Sequence, residues 1–256
     1  MAETKAVLEK PDYGIDAPAV LRNLFLFGVV CLACGFVLPH NVRAGRVVFQ
    51  LKPMFFGTGA LLLLQGLFYL NYVKRGKFRH RDFMLNLVPW RGDEQVLDVG
   101  CGRGLLLVGA AKQLGANVIT RGHATGIDLW SNEDMGANSP EATLRNVQLE
   151  GVSERCSVLS QKAQAMEFED ASFDVIVSNL CLHNIYDAPT REQAVEEIAR
   201  VLRPGGVALL SDYKLTREYA KKLESLGFTV KRKRGSWWMT YPPLMVVIAR
   251  KSEPAS

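Results

Sequence analysis

The chain has 256 residues, of which 48% are apolar and 22% are charged, and its formal net charge is +5. This length allows one or two domains, and the charge content excludes a disordered or low-complexity chain. Five irregularly spaced cysteines exclude a small secreted protein held together by disulfides. Two stretches near the N-terminus, residues 23–42 and 53–73, contain no Asp, Glu, Lys or Arg.

These two uncharged stretches are long enough to be membrane-spanning helices, since roughly 20 helical residues cross the hydrocarbon core. Such segments must be helical, because lipid offers no water to satisfy an open backbone. We therefore expect a transmembrane helical hairpin, with spans at about 20–39 and 54–73, inside an N-terminal region 1–82 that ends in a basic linker. The alternatives are a pair of buried core helices, or a signal peptide followed by a second apolar segment. The acidic N-terminus disfavours the signal peptide.

The basic residues around the hairpin predict its orientation. Five of them lie within 74–81, directly after the second span, whereas the connection between the spans carries Arg43, Arg46 and Lys52. Because positive charge collects on the cytoplasmic side, we expect both termini to lie in the cytoplasm.

Small residues inside the hairpin allow two further interpretations. Cys31 and Cys34 form a C-x-x-C pair, which indicates either thiol exchange or, as we favour inside an apolar helix, packing. Gly57, Gly59 and Ala60 form a small-residue stripe through which two copies of the hairpin could associate into a homo-oligomer.

Residues 83–256 alternate short apolar runs with helical stretches, which predicts an α/β domain with a mostly parallel sheet. Strands are expected at 95–99, 125–129, 157–159, 173–178 and 207–211, and helices at 105–114, 140–149, 191–202 and 216–226. Ser139 and Thr216 are the expected helix caps, and Gly227 the expected stop. Two β-like runs, 228–233 and 244–249, are too close for a crossover helix, so they must pair antiparallel if they pair.

The most informative motif is VLDVGCGRG at 96–104, where a strand ends in a glycine-rich turn before a helix. Glycines let the backbone approach a ligand at a helix start. Asp98 lies at the strand end, and Asp128 in GIDLW can accept hydrogen bonds from a ribose diol. Dinucleotide-binding folds use similar loops, so the glycine spacing alone does not identify the ligand.

Four motifs in order carry a family resemblance: VLDVGCGRG, GIDLW, FDVIVSNLCLHNI at 173–185 and EEIARVLRPGGVALLSDY at 196–213. With them, residues 96–211 resemble the class I S-adenosylmethionine-dependent methyltransferase family. The resemblance implies a Rossmann-like seven-stranded sheet in which 244–249 inserts antiparallel. It also implies S-adenosylmethionine as the cofactor and methyl donor.

The resemblance also implies roles for individual residues. The methionine part of the cofactor would lie along Asp98, Gly100, Cys101 and Gly102, with Asn179 beside the transferring methyl. Asp128 would hold the ribose, and Leu129 or Trp130 the adenine face. Many relatives have an acid that accepts the adenine amino group where this chain has Lys162. Gln161 or the backbone of Ala163 would have to make that contact.

His183 is the candidate general base, because it follows the fourth strand near Asn179 and imidazole exchanges protons near neutral pH. A structural role for His183 is the equal alternative. Asp212, Tyr213 and Tyr186 are expected at the acceptor pocket, together with residues 78–90. No cysteine or histidine cluster has metal-ligand spacing, so no metal is expected.

The positive charge does not indicate a nucleic-acid partner. It collects at 74–81, beside a predicted span, and at 231–234, near Trp237, Trp238 and Tyr241, and both positions suit a membrane interface. We expect a membrane-anchored methyltransferase acting on a small, lipophilic acceptor such as a lipid headgroup or quinone. The alternatives are methylation of a membrane-associated polypeptide, and a non-catalytic S-adenosylmethionine-binding scaffold.

Overall fold

The computed structural model describes residues 9–115, 122–131, 136–235 and 239–253. The helices are α1 (Pro18–Val37), α2 (Leu51–Asn71), α3 (Lys77–Leu85), α4 (Leu105–Leu114), α5 (Pro140–Leu149), α6 (Ala188–Val201) and α7 (Thr216–Ser225). The strands are β1 (Asn41–Ala44), β2 (Val47–Gln50), β3 (Gln95–Val99), β4 (His123–Asp128), β5 (Cys156–Ser160), β6 (Phe173–Asn179), β7 (Leu202–Asp212), β8 (Phe228–Arg234) and β9 (Met245–Lys251).

Helices α1 and α2 pack against each other through glycines, and the exposed β1–β2 hairpin connects them. A Cβ atom added to Gly59 would lie 2.9 Å from the backbone oxygen of Gly28, so the two helices approach closely there. The expected use of Gly59 in a contact between two copies is therefore wrong, because α1 already covers it. Gly57 and Ala60 remain exposed.

The outer faces of α1 and α2 are apolar and open. Phe27, Phe36 and Val37 are 55%, 75% and 86% exposed, respectively. By length and composition alone, both helices could cross a membrane, the second as part of a longer helix that runs from Leu51 to Leu85.

Residues 74–82 are helical, in contrast to the linker that was expected there. A π-helical turn, Tyr72–Gly76, joins α2 to α3, so the helix runs without a break from the apolar pair to the sheet. Within α3, His80 Nε2 lies 2.7 Å from the hydroxyl of Ser211 in β7. The division of the chain at residue 82 stays a prediction, and the helix crosses it.

The seven-stranded sheet has the strand order β5-β4-β3-β6-β7-β9-β8. The five strands from β5 to β7 are parallel to their neighbours, and β9 is antiparallel to both β7 and β8. This arrangement confirms the predicted sheet, including the inserted antiparallel strand. It also brings the carboxyl ends of the parallel strands to one edge, where ligands bind in open α/β sheets.

The helix boundaries follow the capping chemistry of the sequence, with two corrections. Ser139 caps α5 as predicted, and Gly227 follows α7 with a φ of 85°. Thr216 does not cap α7, because its hydroxyl accepts a hydrogen bond from Arg232. Helix α6 begins three residues before the predicted 191, because Asp187 caps it through the backbone N–H of Thr190.

Two hydrophobic cores lie on opposite faces of the sheet. Leu97 and Val99 of β3 pack with α6 and α7, whereas Val96 packs with α3 and α4. Because side chains alternate along a strand, Asp98 shares the face of Val96. Its carboxyl group therefore lies on the α4 side of the sheet, next to the glycine-rich turn.

Candidate functional site

A cavity of about 580 Å³ opens at the carboxyl edge of the parallel strands. Its lining combines the glycine-rich turn, the ends of β4 and β6, the segment after β5, and residues from both ends of the chain. The main lining residues are Asp16, Tyr69, Tyr72, Gly100, Gly102, Asp128, Leu129, Gln161, Ala163, Asn179, His183, Tyr186, Tyr213, Tyr241 and Pro242.

The backbone amides of the glycine-rich turn donate hydrogen bonds to other groups of the same chain. The N–H groups of Gly100 and Cys101 both donate to the carbonyl of Ile127, at 2.8 and 3.0 Å. The N–H of Gly102 donates to Asp128 Oδ2 at 2.8 Å, and that of Gly104 to the carbonyl of Cys101. A phosphate would need such amides free, as in a nucleotide-binding loop. The turn is therefore a poor phosphate cradle.

A glycine is required at position 100 both by its own backbone conformation and by the packing of the segment that follows β6. Its φ is 73°, and a Cβ atom there would lie 2.2 Å from the sulfur of Cys181. The glycine thus lets the segment after β6 pack directly against the turn. This contact brings Asn179 and His183 towards the ligand side of the cavity.

Two acidic side chains lie at the glycine-rich turn. Asp98 is 1% exposed, and among the described residues neither of its oxygens has a hydrogen-bond partner of standard geometry. Burial raises the pKa of Asp98 to about 8, against a lowering contribution from the backbone amide of Leu107. Asp128 lines the cavity, where its Oδ1 accepts from the backbone N–H of Trp130 at 2.7 Å.

A buried carboxyl group without a hydrogen-bond partner of standard geometry is able to carry charge when a positively charged group binds beside it. S-adenosylmethionine carries a positively charged ammonium and sulfonium, which suit Asp98. It has no phosphate, so it does not need free amides in the turn. A dinucleotide has negatively charged phosphates, which need free amides and do not suit the carboxyl group of Asp98. The residues present therefore fit S-adenosylmethionine.

Six of the eight predicted cofactor residues line the cavity, and two do not. The six are Gly100, Gly102, Asp128, Leu129, Ala163 and Asn179. Asp98 lies buried behind the turn. The side chain of Cys101 points into the core, where a Cβ atom on Gly126 would lie 2.8 Å from its sulfur, so Cys101 offers the cavity only its backbone.

The adenine end of the predicted site involves the residues that follow β4 and β5. Lys162 is exposed and lies outside the cavity lining, whereas Gln161 and Gln164 line it. Trp130 also lies outside the lining and donates from its indole N–H to Ser160. Lysine at position 162, where many relatives have an acid, therefore places no positive charge on this part of the cavity wall.

His183 and Asp212 form a bonded pair at the acceptor side. His183 Nδ1 lies 2.9 Å from Asp212 Oδ1, and the backbone N–H of His183 donates to Oδ2 at 3.3 Å. The carboxylate is 1% exposed and also accepts hydrogen bonds from the backbone of Tyr213 and the hydroxyl of Tyr219. Because Nδ1 faces Asp212, Nε2 is the nitrogen left for a ligand in the cavity.

The hairpin contributes a wall that sequence reasoning missed. Asp16 at the start of α1, and Tyr69 and Tyr72 at the end of α2, line the cavity, and Tyr72 interacts with the side chain of Asn179. None of residues 78–90, the expected acceptor segment, lines it. Nothing in the sequence indicated that the two tyrosines line the site. Trp237 and Trp238 lie outside the described residues.

Residues 9–17, here called the N-terminal strap, connect this wall to the glycine-rich turn. Asp12 pairs with Arg103 of the turn at 2.9 Å, and its backbone N–H donates to Asn146 of α5. Lys77 of α3 is buried and donates to the carbonyls of Tyr13 and Gly14, at 2.8 and 2.5 Å. The strap thus holds together the turn, α5 and the long helix.

Comparison with known proteins agrees with this geometry. Residues 97–210 match a family model described as a methyltransferase domain. The chain is 32% identical over 125 residues to the sterol 4-C-methyltransferase strm-1 of Caenorhabditis elegans, an alignment covering 49% of this chain and 33% of that protein. The chain spans between a third and just over half of the length of the curated relatives it matches.

Solved structures share the fold at low identity. A SAM-dependent methyltransferase from Aquifex aeolicus superposes with a TM-score of 0.51 at 20% identity, over 66% of this chain and 88% of that one. The cyclase SpnF superposes with a TM-score of 0.57 at 16% identity, over 94% of this chain and 100% of its own.

Residues 97–210 are thus similar to a methyltransferase domain, and the solved structures share the fold of this chain. The fold by itself does not define the reaction, since SpnF is named as a cyclase.

Proposed function

We propose that the chain is a membrane-anchored methyltransferase that transfers the methyl group of S-adenosylmethionine to a small lipophilic acceptor. The observation that carries the proposal is the composition of one cavity. One part of its lining has Asp128 and a glycine-rich turn whose amides at Gly100, Cys101, Gly102 and Gly104 are engaged within the protein, and another part is the end of an apolar hairpin.

On the cofactor side, each residue has a distinct task. Asp98 would balance the charge of the ammonium from behind the glycine-rich turn, Asp128 would hold the ribose hydroxyls, and Leu129 would pack on the adenine. When bound, S-adenosylmethionine supplies a methyl group already activated by its positive sulfur. The protein then has mainly to position the acceptor and exclude water.

His183 is the general base of the proposal. With Nδ1 held by Asp212, Nε2 accepts the proton of an acceptor hydroxyl, thiol or amine as the nucleophile attacks. Asp212 fixes the ring and stabilises the positive charge that the imidazole then carries. Tyr213 packs edge-on against that ring, with centroids 4.8 Å apart, and limits its rotation.

Two observations support a membrane anchor and a lipophilic acceptor. The apolar faces of α1 and α2 are exposed, which a pair of soluble core helices would avoid. One curated relative is named for methylating a sterol. The basic residues at 74–81 favour the cytoplasmic side for the methyltransferase domain. An anchor would raise the local concentration of a bilayer-dissolved acceptor.

The two other functions have weaker support. A non-catalytic scaffold would have been favoured by Lys162, but that side chain lies outside the cavity lining. Methylation of a polypeptide would need a groove for an extended chain. The described cavity instead ends against Tyr69 and Tyr72 of the hairpin.

The cofactor assignment is tested by calorimetric titration of detergent-solubilised full-length protein. We expect S-adenosylmethionine and its demethylated product to bind, and NAD not to bind. Asp128→Ala should abolish binding while the protein stays folded, and Lys162→Ala should leave affinity unchanged. NAD binding, or donor binding indifferent to Asp128, would contradict the assignment.

The anchor is tested by fractionation of membranes that contain the full-length protein. We expect the protein to stay in the membrane pellet after alkaline carbonate and after high salt, and to leave it only in detergent. Release by carbonate would mean that α1 and α2 lie outside the bilayer.

A further inference from the structure

We propose that the acceptor is an amphiphilic membrane lipid with a protic nucleophile, and that it enters the cavity from the bilayer beside the stacked rings of Phe68 and Tyr241. This inference rests on the proposed function and adds to it an entrance and an acceptor class. The structural basis is the course of residues 239–244, here called the entrance segment.

Gly235 and the residues from Met239 onward, on either side of the undescribed residues 236–238, lie against the long helix and the apolar hairpin. A Cβ atom on Gly235 would lie 3.2 Å from His80 Nδ1, and one on Gly76 would lie 1.7 Å from the carbonyl oxygen of Met239. Further along, the ring of Tyr241 stacks on Phe68, with centroids 6.1 Å apart and planes at 24°. Successive residues thus contact the helix at 80, 76 and 68, and the entrance segment reaches the apolar span.

The entrance segment and the hairpin together form one side of the cavity. Tyr241 and Pro242 line it together with Tyr69, Tyr72 and His183. Tyr69 is fixed there, since its hydroxyl donates to the carbonyl of Asp16 at 2.5 Å. The protein part that would lie at the membrane surface is therefore also a wall of the reaction site.

An exposed apolar path continues from this wall along α2. Phe68, Leu67 and Leu64 are 42%, 56% and 50% exposed. A water-soluble acceptor would gain nothing from such a path, whereas an acyl or isoprenoid chain would stay in contact with lipid. Tyrosine suits the transition, because its ring is apolar and its hydroxyl is polar.

The His183–Asp212 pair defines the polar end of the acceptor. His183 is held through Nδ1 by the buried carboxylate of Asp212, an arrangement that a proton-accepting base requires. An acceptor whose reacting atom already has a free lone pair and no proton, such as a thioether, would not need it. The combined site therefore selects a lipid whose polar end has an O–H, S–H or N–H group.

The entrance is tested by site-specific photocrosslinking of full-length protein in nanodiscs made from phosphatidylcholine and phosphatidylglycerol. A benzophenone amino acid replaces Tyr241 in one variant, Phe36 in a second and Leu226 in a third. Phe36 is 75% exposed on the hairpin and reports insertion, and Leu226 is 43% exposed after α7 and is the matched control. We expect phospholipid adducts at positions 36 and 241 and none at 226.

The other outcomes separate the two levels of the proposal. Adducts at 36 without adducts at 241 would overturn the entrance and leave the anchor standing. No adduct at 36 would overturn the anchor and the entrance together. Adducts at all three positions would show unselective capture and contradict a defined entrance.

A kinetic measurement tests the same entrance independently. Methyl transfer to a total lipid extract of the native membranes is followed as the extract concentration increases. Phe68→Ala and Tyr241→Ala should raise the apparent KM for the extract at least several-fold and leave the calorimetric affinity for the demethylated donor unchanged. An unchanged KM in both variants would contradict entry at this point.

Discussion

Asp98 and Asp128 are only thirty positions apart in the sequence and act through opposite environments. Asp128 lines the cavity and is held by amides of the glycine-rich turn and of Trp130. Asp98 is buried without a hydrogen-bond partner of standard geometry among the described residues, and burial raises its pKa to about 8. At neutral pH, Asp98 is therefore mostly protonated until a positively charged group binds beside it.

Donor binding should consequently release a proton. Because the pKa of free Asp98 is about 8 and the bound carboxyl is charged, affinity should rise with pH and level off above 8. Below that value the slope should approach about tenfold per pH unit. Calorimetry in two buffers of different ionisation enthalpy measures the released proton directly.

Asp98→Asn is the matched control, since it keeps the shape and removes the charge. Its affinity should be lower than that of the natural protein at high pH, and it should lose the proton release. Equal proton release in both proteins would assign the titration to another group.

The His183–Asp212 pair leads to a second prediction at this scale. His183→Ala should lower kcat by roughly a hundredfold or more, because it removes the base. Asp212→Asn should shift the pH dependence of kcat, since a neutral amide holds the ring differently and does not stabilise the imidazolium. Both variants should bind the donor normally. Loss of donor binding in both would indicate the structural role for His183.

At the scale of elements, the N-terminal strap joins parts of the molecule that are distant in sequence. Burial lowers the pKa of Lys77 and raises that of Asp16, and their ion pair, at 3.8 Å, opposes both shifts. Lys77 also satisfies two strap carbonyls. The strap is thus fastened by a buried lysine as well as by exposed pairs.

Lys77→Met should therefore destabilise the protein by about 3 kcal/mol, because Asp16 loses its charge partner in a partly buried site. Denaturant unfolding of the solubilised protein, followed by circular dichroism, measures the change. Arg145→Ala, which removes the exposed contacts with Glu9 and Gln148, is the control and should leave the unfolding midpoint unchanged. Equal effects of the two substitutions would show that burial of the strap contributes nothing.

The hairpin gives a matched pair of glycines. A Cβ atom on Gly59 would lie 2.8 Å from Leu32, whereas one on Gly57 would meet nothing within 4 Å. Gly59→Ala should cost about 1–3 kcal/mol through overpacking against α1, and Gly57→Ala should be neutral or slightly stabilising. Thermal unfolding of the two variants in the same detergent makes the comparison. A larger effect at Gly57 would mean that a second copy covers that exposed face.

At the scale of the whole molecule, local patterns predicted the sheet and the donor side of the site. The glycine-rich turn and Asp128 follow strand ends, so their placement depends only on strand order. The orientation of Cys101 was not predictable, because its side chain occupies the space left by the missing side chain of Gly126 on the neighbouring strand.

The acceptor side could not be predicted for a related reason. Tyr72 and Asn179 meet only because the helix continues through the π-helical turn onto the sheet. Tyr241 meets Phe68 only because the described residues that follow β8 lie along the long helix. Apolar periodicity identifies a span but does not indicate which of its ends contacts a distant loop. The hairpin therefore appeared in the sequence as an anchor, and only the structure places it at the cavity wall.

The most direct measurement follows the methyl group itself. Full-length protein is reconstituted in vesicles of lipid extracted from its native membranes, supplied with S-adenosylmethionine tritiated on the methyl, and separated into organic, aqueous and protein fractions. We expect label in the organic fraction, and strongly reduced label there for His183→Ala. Label confined to protein bands would favour a polypeptide acceptor, and absence of label despite donor binding would contradict methyl transfer altogether.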